Sequence, residues 1–434
     1  MKTDLVVVGG GPAGMMAALT AAKEGAKVIL AEKNNRPGKK LAITGAGRCN
    51  LTNLADLNEI IANIPGNGRF LYSALGQFNP ERLMAFFQDE LHVPLKVERG
   101  RRVFPESDQA QDIVAALTNC LKTWKVTLFT QTTVARLEID PGARSLRGVY
   151  CASVPPGKGG AQRYIETKKV VIATGGLSYP GTGSDGDGYR LAQAAGHTVT
   201  PLRPSLVPLE TAEGWPLRLQ GLTLTNVSVT SYHGDKKIQT GFGELLFTHF
   251  GISGPTVLSL SRAIVPYVQE CPGSVTVRID LKPGLDEAVL DLRLQRDFAK
   301  FSRKIYQNSL EELLPRKLIP VIVELSGIDP VKPAHQITRA ERLNLVKLCK
   351  GLSVTITKPR PIAEAIVTAG GIATKEIDPK TMESRKIPGL YFAGEVVDVD
   401  GYTGGYNLQI AFSMGYVAGM AAARSLLAAS ETTS

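Results

Sequence analysis

Runs of branched aliphatic residues without polar alternation mark the expected sheet of this chain. Residues 4–8 (DLVVV), 27–31 (KVILA) and 169–176 (KVVIATGG) contain such runs. Strands that are buried on both faces of a parallel sheet have this pattern. A helical pattern from Met15 to Glu24 joins the first two runs. The chain therefore opens with a predicted βαβ unit.

The first turn of this unit carries the sequence GxGxxG. Gly9 would permit the tight turn, Gly11 would let the backbone approach a pyrophosphate, and Gly14 would let helix and strand pack closely. Glu32, at the end of the second run, would accept hydrogen bonds from ribose hydroxyls. The helix N-terminus would offer unpaired N–H groups to the phosphates. The combination predicts dinucleotide binding but does not distinguish FAD from NAD.

A second GxGxxG stands at 181–186. It follows Pro180, several residues beyond the strand run, and no strand ending in an acid comes at the right distance after it. We therefore predict that it forms no second nucleotide fold. Upstream, 155–160 (PPGKGG) is expected to be a turn between two strands.

The hydrophobic pattern changes twice in the middle of the chain. After Gly196 it consists of short alternating runs, and from about Leu285 to Leu352 it is helical and rich in leucine, arginine and lysine. Strand-like runs return before a last helical pattern. We predict an α/β fold in which both chain ends build one nucleotide-binding domain around an inserted block. The predicted bounds are 1–195 and 356–434 for the nucleotide-binding domain, 196–284 for the β part of the inserted block and 285–355 for its helical part.

Composition narrows the classes of function. The 434 residues include 50 Lys and Arg against 40 Asp and Glu, a formal net charge of +10. This excess permits a polyanionic partner such as RNA and equally fits a basic soluble enzyme. The five cysteines are far apart, with no CxxC and no Cys/His cluster at ligand spacing. We therefore expect no metal site, no disulfide framework and no dithiol centre.

No stretch predicts a signal peptide or a membrane span. The apolar run at the N-terminus is short and gives way to glycines instead of a cleavage site. The C-terminal helical pattern holds a GxxxG from Gly415 to Gly419, together with Ser413 and Arg424. It predicts a buried helix that lies close to another backbone. We expect a soluble, cytoplasmic protein with no membrane partner.

The far end of the chain favours a flavin over a nicotinamide nucleotide. Residues 389–412 (GLYFAGEVVDVDGYTGGYNLQIAF) comprise a predicted strand, Gly394 and Glu395, and a glycine-rich turn that leads into a helix near Asn407. The stretch resembles the C-terminal flavin motif of two-domain FAD enzymes, in which the acid holds the ribityl chain. The helix N-terminus would then face the flavin pyrimidine, where negative charge develops on reduction.

Five longer blocks extend this resemblance over nearly the whole chain. On these blocks the chain resembles the BaiN-like flavoprotein family, also described as aminoacetone-oxidase-like or YhiN-type FAD-binding proteins. Two departures from the family pattern are Ala46, in TGAGRCN where SGGGRCN is commoner, and the bulky Tyr179 after IATGG. The blocks are GKKLAITGAGRCNLTN (38–53), RVFPESDQAQDIV (102–114), IATGGLSYPGTGSDGDGYRLAQAAGH (172–197), ELLFTHFGISGP (244–255) and GLYFAGEVVDVDGYTGGYN (389–407).

The resemblance implies a Rossmann-like FAD domain with an inserted β-barrel-like and helical domain. It also implies an oxidoreductase with noncovalent FAD and with NAD(P)H as a transient electron donor. Family members have been associated with steroid enones, with uracil in ribosomal RNA and with aminoacetone. Three hypotheses therefore stay open: a reductase of an activated C=C bond in a small enone or in ribosomal RNA, an amine oxidase that uses oxygen, and a flavin-bearing binding protein without turnover.

Three residues are catalytic candidates, and each has a structural alternative. Cys49 could donate a proton or pack a flavin-contacting loop whose turn Asn50 ties to itself. His249 could act in catalysis or fix a turn through hydrogen bonds to the backbone. Tyr402 could donate a proton or line the pocket. The expected cofactor-binding set is Gly9, Gly11, Pro12, Ala13, Gly14, Glu32, Lys33, Lys40, Gly47, Arg48, Cys49, Asn50, Val134, Thr174, Gly175, Gly176, Gly394, Glu395, Gly405, Tyr406, Asn407 and Leu408.

Overall fold

A computed structural model describes residues 1–142, 144–154 and 162–431 of the chain. The turn expected at 155–160 lies outside these described residues. The chain divides into two compact units, one formed by Met1–Arg203 with Ile362–Ser434 and the other by Pro204–Pro361. The inserted block expected at 196–355 thus begins and ends several residues later in the structure.

Nineteen strands and thirteen α-helices are described, and they are numbered here in chain order. The strands are β1 (Leu5–Val8), β2 (Val28–Ala31), β3 (Thr52–Asn53), β4 (Leu95–Glu98), β5 (Arg102–Pro105), β6 (Thr127–Phe129), β7 (Thr132–Ile139), β8 (Leu146–Ser153), β9 (Arg163–Glu166), β10 (Val170–Ile172), β11 (Arg203–Ser205), β12 (Leu209–Thr211), β13 (Thr223–His233), β14 (Lys236–Phe247), β15 (Gly251–Ser253), β16 (Val275–Asp280), β17 (Leu352–Pro359), β18 (Val367–Ala369) and β19 (Leu390–Phe392). The helices are α1 (Pro12–Lys23), α2 (Leu57–Ala62), α3 (Tyr72–Gln77), α4 (Pro80–Ala85), α5 (Ala110–Thr123), α6 (Asp187–Ala194), α7 (Trp215–Arg218), α8 (Pro255–Glu270), α9 (Glu287–Lys300), α10 (Tyr306–Ser309), α11 (Ile319–Ser326), α12 (Arg339–Lys350) and α13 (Tyr406–Glu431).

The first unit is built on a five-stranded parallel sheet in the order β19-β10-β1-β2-β6. The three aliphatic runs form its centre, with Val6 opposite Val170 and Leu5 opposite Val28. Every residue of β1 and β2 is buried, as expected for strands covered on both faces. β19 joins β10 from the far end of the sequence. The prediction of a Rossmann-type α/β fold assembled from both chain ends is confirmed.

Helix α13 lies in backbone contact with α1. A Cβ on Gly415 would stand 2.3 Å from the carbonyl oxygen of Ala13, and one on Gly419 would stand 2.3 Å from that of Ala17. The two glycines therefore let the helices approach more closely than any side chain would allow. The GxxxG spacing serves helix packing inside the unit, and among the described helices none could cross a membrane.

The second unit contains a closed barrel in the strand order β12-β15-β14-β13-β16-β17, in which the paired neighbours run antiparallel. Helices α9 to α12 follow β16 along the chain. The helical part expected to reach residue 355 ends earlier, because β17 begins at Leu352. This strand pairs with both β12 and β16 and so closes the barrel.

A buried polar cluster surrounds His197 in the first unit. The ring Nε2 lies 2.9 Å from the hydroxyl of Ser384, and Nδ1 lies 3.2 Å from a carboxylate oxygen of Glu376, with poor hydrogen-bond alignment. Glu376 also forms an ion pair with Lys386 at 2.8 Å and accepts hydrogen bonds from the backbone N–H and the hydroxyl of Thr198. Burial lowers the pKa of His197. Burial opposes ionisation of Glu376, but Lys386 and Thr198 outweigh it and hold the pKa of that carboxyl at about 2.

We expect this cluster to make the protein less stable as the pH falls through the ordinary histidine range. Because the folded pKa of His197 lies below the ordinary histidine value of 6.5, the unfolded chain binds more protons there, and the free energy of unfolding decreases as the pH falls. Protonation of Glu376 lowers the free energy of unfolding further only below pH 4.5. Chemical denaturation between about pH 8 and about pH 5 should show a flatter profile for His197→Gln than for the parent protein. Parallel profiles would contradict the assignment.

Candidate active site

The three glycines of the first turn have the geometry that a bound pyrophosphate requires. Gly9 adopts a φ of 102°, and a Cβ there would stand 2.6 Å from the carbonyl oxygen of Ala173. A Cβ on Gly14 would meet the carbonyl oxygen of Gly9 at 1.8 Å, whereas one on Gly11 would meet nothing within 4 Å. Gly9 and Gly14 are thus fixed by packing, and Gly11 faces open space at the N-terminus of α1. The turn fits the diphosphate of FAD.

Glu32 follows directly on β2 and its carboxylate is buried. One carboxylate oxygen accepts the N–H of Gly10 at 2.7 Å, and the other accepts the backbone and side-chain N–H groups of Asn34, both at 2.7 Å. These bonds hold the acid beside the glycine turn. The contact of this carboxylate with the ribose of a dinucleotide stays a prediction.

Lys33, expected to touch the cofactor, is engaged with two acids. Its ammonium pairs with Asp185 at 2.5 Å and with Asp187. Asn34 also donates to the carbonyl of Thr182 at 2.9 Å. The second GxGxxG therefore supports the segment after β2 and leads into α6 instead of opening a second nucleotide fold.

The carboxylate of Glu395 accepts hydrogen bonds from three groups of the protein. It accepts Lys40 at 2.7 Å, the hydroxyl of Ser178 at 2.9 Å and the backbone N–H of Thr368 at 2.8 Å. Burial raises the pKa of this carboxyl, but Lys40 and the other donors outweigh burial and hold the pKa below its usual value. The oxygen that accepts Lys40 can accept another donor. The ribityl contact implied by the resemblance thus stays a prediction, and Lys40 is placed as the partner of Glu395.

Two of the expected glycines lie against this carboxylate. A Cβ on Gly176 would stand 2.9 Å from Glu395 and 2.4 Å from the hydroxyl oxygen of Thr368. Gly175 has a φ of 75°, and its Cβ would stand 2.8 Å from Ser184. Neither position leaves room for a side chain, so the loop after β10 must pass close to Glu395 as bare backbone.

The loop around Cys49 has an uncommon backbone conformation. Gly45, Ala46, Gly47 and Cys49 have φ values of 58°, 56°, 85° and 60°. Such values suit glycine, and each non-glycine residue there costs roughly 1 kcal/mol. Ala46 is the position where the family more often has glycine, so the departure noted in the sequence carries a conformational cost.

This loop is docked on the glycine-rich turn before α13. With its amide oxygen toward Gly405, Asn50 accepts that N–H at 3.0 Å and donates to the carbonyl of Thr52 at 3.2 Å. The hydroxyl of Thr52 donates to Gln409 at 2.5 Å, and Asn53 donates to the carbonyl of Gly404 at 3.0 Å. Asn50 therefore forms hydrogen bonds both within its own turn and to the turn at the N-terminus of α13. The two segments expected to contact the flavin are neighbours.

Asn407 closes the turn itself. Its side chain accepts the N–H of Gly401 and donates to the carbonyl of Gly401, both at 2.8 Å. The backbone N–H of Tyr402 donates to Asn63 at 2.9 Å, and the Tyr402 side chain is half-buried. Tyr406 is buried and Leu408 is partly buried against the core. Of the expected residues in this turn, Tyr402 is the catalytic candidate.

Cys49 is fully enclosed, with an exposed fraction of 0%. Burial raises the pKa of its thiol to about 12. The neighbouring Arg48 does not stabilise a thiolate, since its guanidinium pairs with Glu98 and Asp108 and lies 4.2 Å from the ring centre of Phe104. A protonated thiol without exposed surface supports the packing alternative.

Three further expected residues are His249, Val134 and Thr174. His249 is in the second unit, exposed in the turn between β14 and β15, where its ring lies edge-on to Phe250 at 4.8 Å. That turn is held by the backbone bond from Thr248 to Gly251 at 2.8 Å. Val134 is buried in β7. The hydroxyl of Thr174 is buried, with no partner among the described residues.

Four residues of the site were missed by the sequence interpretation. Ser178 and Thr368 hold Glu395, and Asn53 and Gln409 tie the loop to the turn. Thr368 comes from β18, so nothing local in the sequence signals its role. No group of three His, Cys, Asp or Glu side chains that could hold a metal occurs in the part of the chain that the structure describes.

A family model described as the HI0933-like protein Rossmann domain matches residues 3–421. The chain belongs to this family. Its members include FAD-dependent oxidoreductases, so the expected class of flavoprotein enzyme is confirmed. The HI0933-like chain is 34% identical over 420 residues to the 3-dehydro-bile acid delta(4,6)-reductase of Clostridium scindens, covering 96% of this chain and 98% of the relative. It is 33% identical over 430 residues to the ribosomal RNA dihydrouridine synthase of Escherichia coli, covering 99% of both chains.

Solved structures agree at the level of the fold. The 3-ketosteroid delta1-dehydrogenase of Sterolibacterium denitrificans aligns with a TM-score of 0.55 at 15% identity, covering 98% of this chain and all of the other. A flavocytochrome c3 fumarate reductase aligns with a TM-score of 0.54 at 17% identity, covering 98% and 79%. At such identities the likeness supports the architecture of the HI0933-like chain alone.

Replacing Glu32 with Ala should weaken FAD binding by roughly tenfold to a hundredfold, since one or two hydrogen bonds from ribose hydroxyls to a carboxylate are lost. FAD titration of the apoprotein, followed by flavin fluorescence, measures the dissociation constant. The exposed Glu81 on α4 provides a matched control, Glu81→Ala. Because Glu32 also accepts from Gly10 and Asn34, Glu32→Gln and the melting temperature of each apoprotein separate loss of binding from loss of fold. An unchanged FAD affinity in Glu32→Ala would contradict the assignment.

Proposed function

We propose that this protein uses FAD and NAD(P)H to reduce a carbon–carbon double bond that is conjugated to a carbonyl group. The observation that carries the proposal is that two full-length relatives with different substrates share one reaction class. By their names, one reduces a bile acid and the other forms dihydrouridine in ribosomal RNA. In both cases a double bond next to a carbonyl is saturated.

When bound and reduced by NAD(P)H, FAD would supply a hydride to the β-carbon of such a bond. The chain itself would bind and orient the cofactor and would supply a proton to the substrate. The glycine turn and Glu32 would hold the adenosine diphosphate half, as their geometry fits it. The N-terminus of α13, closed by Asn407 and docked on Asn50, would offer N–H groups to the ring where negative charge develops.

The α-carbon of the substrate must also receive a proton. Tyr402 is the candidate favoured here, because its half-buried side chain lies in the turn between Gly401 and Gly405. Of the two candidates in the first unit, Cys49 has no exposed surface. We therefore assign proton donation to Tyr402 and loop packing to Cys49.

Two anaerobic measurements test the proposed reaction. NADPH or NADH is first mixed with the yellow protein, and bleaching of the flavin absorbance gives the rate of reduction. An α,β-unsaturated ketone or a uridine-containing RNA is then added, and recovery of the absorbance gives the rate of reoxidation. We expect reduction by a nicotinamide and fast reoxidation by a double bond, with slow reoxidation by air. Bleaching only by amines would identify an oxidase, and absence of any bleaching would leave a binding protein; either result would overturn the proposal.

The same reoxidation step separates Tyr402 from Cys49. Tyr402→Phe should slow substrate reoxidation by roughly a hundredfold or more while flavin reduction is unchanged, since a positioned proton donor contributes about that much. Cys49→Ala should keep FAD and leave both steps within about threefold, at a cost of roughly 1–2 kcal/mol of stability from the cavity. A slow reoxidation in Cys49→Ala with FAD retained would assign the proton to the thiol and contradict the packing role.

A further inference from the structure

An arginine-bearing hairpin lies next to the turn that precedes α13. Strands β4 and β5 pair antiparallel, with Glu98 opposite Arg102, and their connection is Arg99-Gly100-Arg101. The amide of Asn53 donates to the carbonyl of Gly100 and to the carbonyl of Gly404, both at 3.0 Å. One buried side chain therefore holds the hairpin tip and the glycine-rich turn together. The hairpin tip and the turn expected to face the flavin are therefore connected through two hydrogen bonds to the same side chain.

The tip carries more positive than negative charge. Residues 96–102 (KVERGRR) contain four basic residues and one acid. Arg99, Arg101 and Arg102 are exposed. Arg101 pairs with Glu59, and Arg102 lies 4.0 Å from Glu98, which Arg48 also engages. Arg99 has no acidic partner among the described residues.

The helical part of the second unit, which is rich in arginine and lysine, is the other basic surface to consider. Six of its cations are paired with acids inside that unit, at distances between 2.6 and 3.5 Å. These pairs are Arg293–Asp297, Lys300–Glu312, Lys304–Glu311, Lys332–Glu341, Arg342–Asp291 and Lys350–Asp280. Cations that are neutralised in this way contribute little attraction for a distant polyanion. Six other cations of this block have no acidic partner among the described residues, whereas on the hairpin only Arg99 has none. The hairpin is distinguished instead by its link through Asn53 to the turn at Gly404.

We propose that the hairpin tip, residues 99–102, is a phosphate-binding surface that holds the backbone of an RNA substrate beside the flavin. The inference rests on the proposed function and names the substrate class for it. Exposed guanidinium groups bind phosphodiester oxygens through paired N–H donors. Three exposed arginines within residues 99–102 suit successive phosphates of a strand better than one enclosed phosphate group. Asn53 then fixes the distance between the bound strand and the turn at Gly404.

The test compares a double variant with a matched control from the second unit. Arg99→Ala/Arg102→Ala removes two exposed guanidinium groups without touching the Arg101–Glu59 pair. The control, Arg296→Ala/Arg303→Ala, removes the same charge from exposed positions of the helical block. Binding of a fluorescent single-stranded RNA rich in uridine is measured on the FAD-loaded protein at salt concentrations from about 50 to about 300 mM.

We expect the tip variant to bind the RNA at least about tenfold more weakly at low salt. The slope of log affinity against log salt should decrease by about 1.4, since each single-strand phosphate contact contributes about 0.7. The control should keep the parent slope within about 0.3. Arg99→Lys/Arg102→Lys, which keeps both charges, should restore most of the slope, and unchanged flavin content verifies the fold of each variant.

Three results would overturn the proposal: an unchanged slope in the tip variant, an equal loss in the control, or displacement of the RNA by polyglutamate as effectively as by unlabelled RNA. Turnover of a small α,β-unsaturated ketone in the same preparations keeps this proposal distinct from the proposed function. If the ketone is reduced and the tip binds no RNA, the phosphate surface is wrong and the reaction class stands. If the tip binds RNA with the expected slope and no double bond is reduced, the reaction class is wrong and the surface stands.

Discussion

Close backbone contact around the first turn of α1 is the constraint on which the site depends. Gly14 lies against the carbonyl of Gly9, Gly415 lies against that of Ala13, and a Cβ on Gly394 would stand 2.9 Å from the Cβ of Ala13. The diphosphate turn, the end of β19 and the long C-terminal helix therefore meet within one helical turn. Any added side chain there would displace two of the three segments together, since packed interiors leave no free volume. The two segments expected to bind the cofactor are positioned by the same contact.

The meeting of these segments also brings two carboxylates, Glu32 and Glu395, to one edge of the sheet. The carboxyl ends of β2 and β19 each deliver an acid to the same edge of the sheet, and the two acids are held differently. Glu32 accepts only N–H groups of the chain and carries no ion partner in its hydrogen-bond set. Glu395 is paired with Lys40 and fixed by Ser178 and Thr368. A buried charge is tolerated when it is paired and fully hydrogen-bonded, so Glu395 can remain ionised in its buried position.

The sequence is informative where a role depends on local spacing. The strands β1, β2 and β10, the three glycine roles and the packing of Gly415 and Gly419 all follow from patterns shorter than one supersecondary unit. It is uninformative where a role depends on a partner hundreds of residues away. The bond from Asn50 to Gly405, the link from Asn53 to Gly404 and the support of Glu395 by Ser178 have no local signature. The barrel strand β17 was missed for the same reason, because its pairing with β12 depends on closure of the sheet.

The loop around Cys49 shows how these long-range contacts fix a conformation that the sequence alone disfavours. Ala46 and Cys49 occupy left-handed backbone conformations, each costing roughly 1 kcal/mol. The loop is nevertheless held at its C-terminal side, where Asn50 accepts from Gly405 and Thr52 donates to Gln409. Burial of the thiol adds packing at the strained residue itself. Strained backbone persists where surrounding structure determines it and is concentrated at functional sites. Asn50 and Thr52 thus hold the loop against the N-terminus of α13, and that helix makes the backbone contact at Ala13 beside the glycine turn.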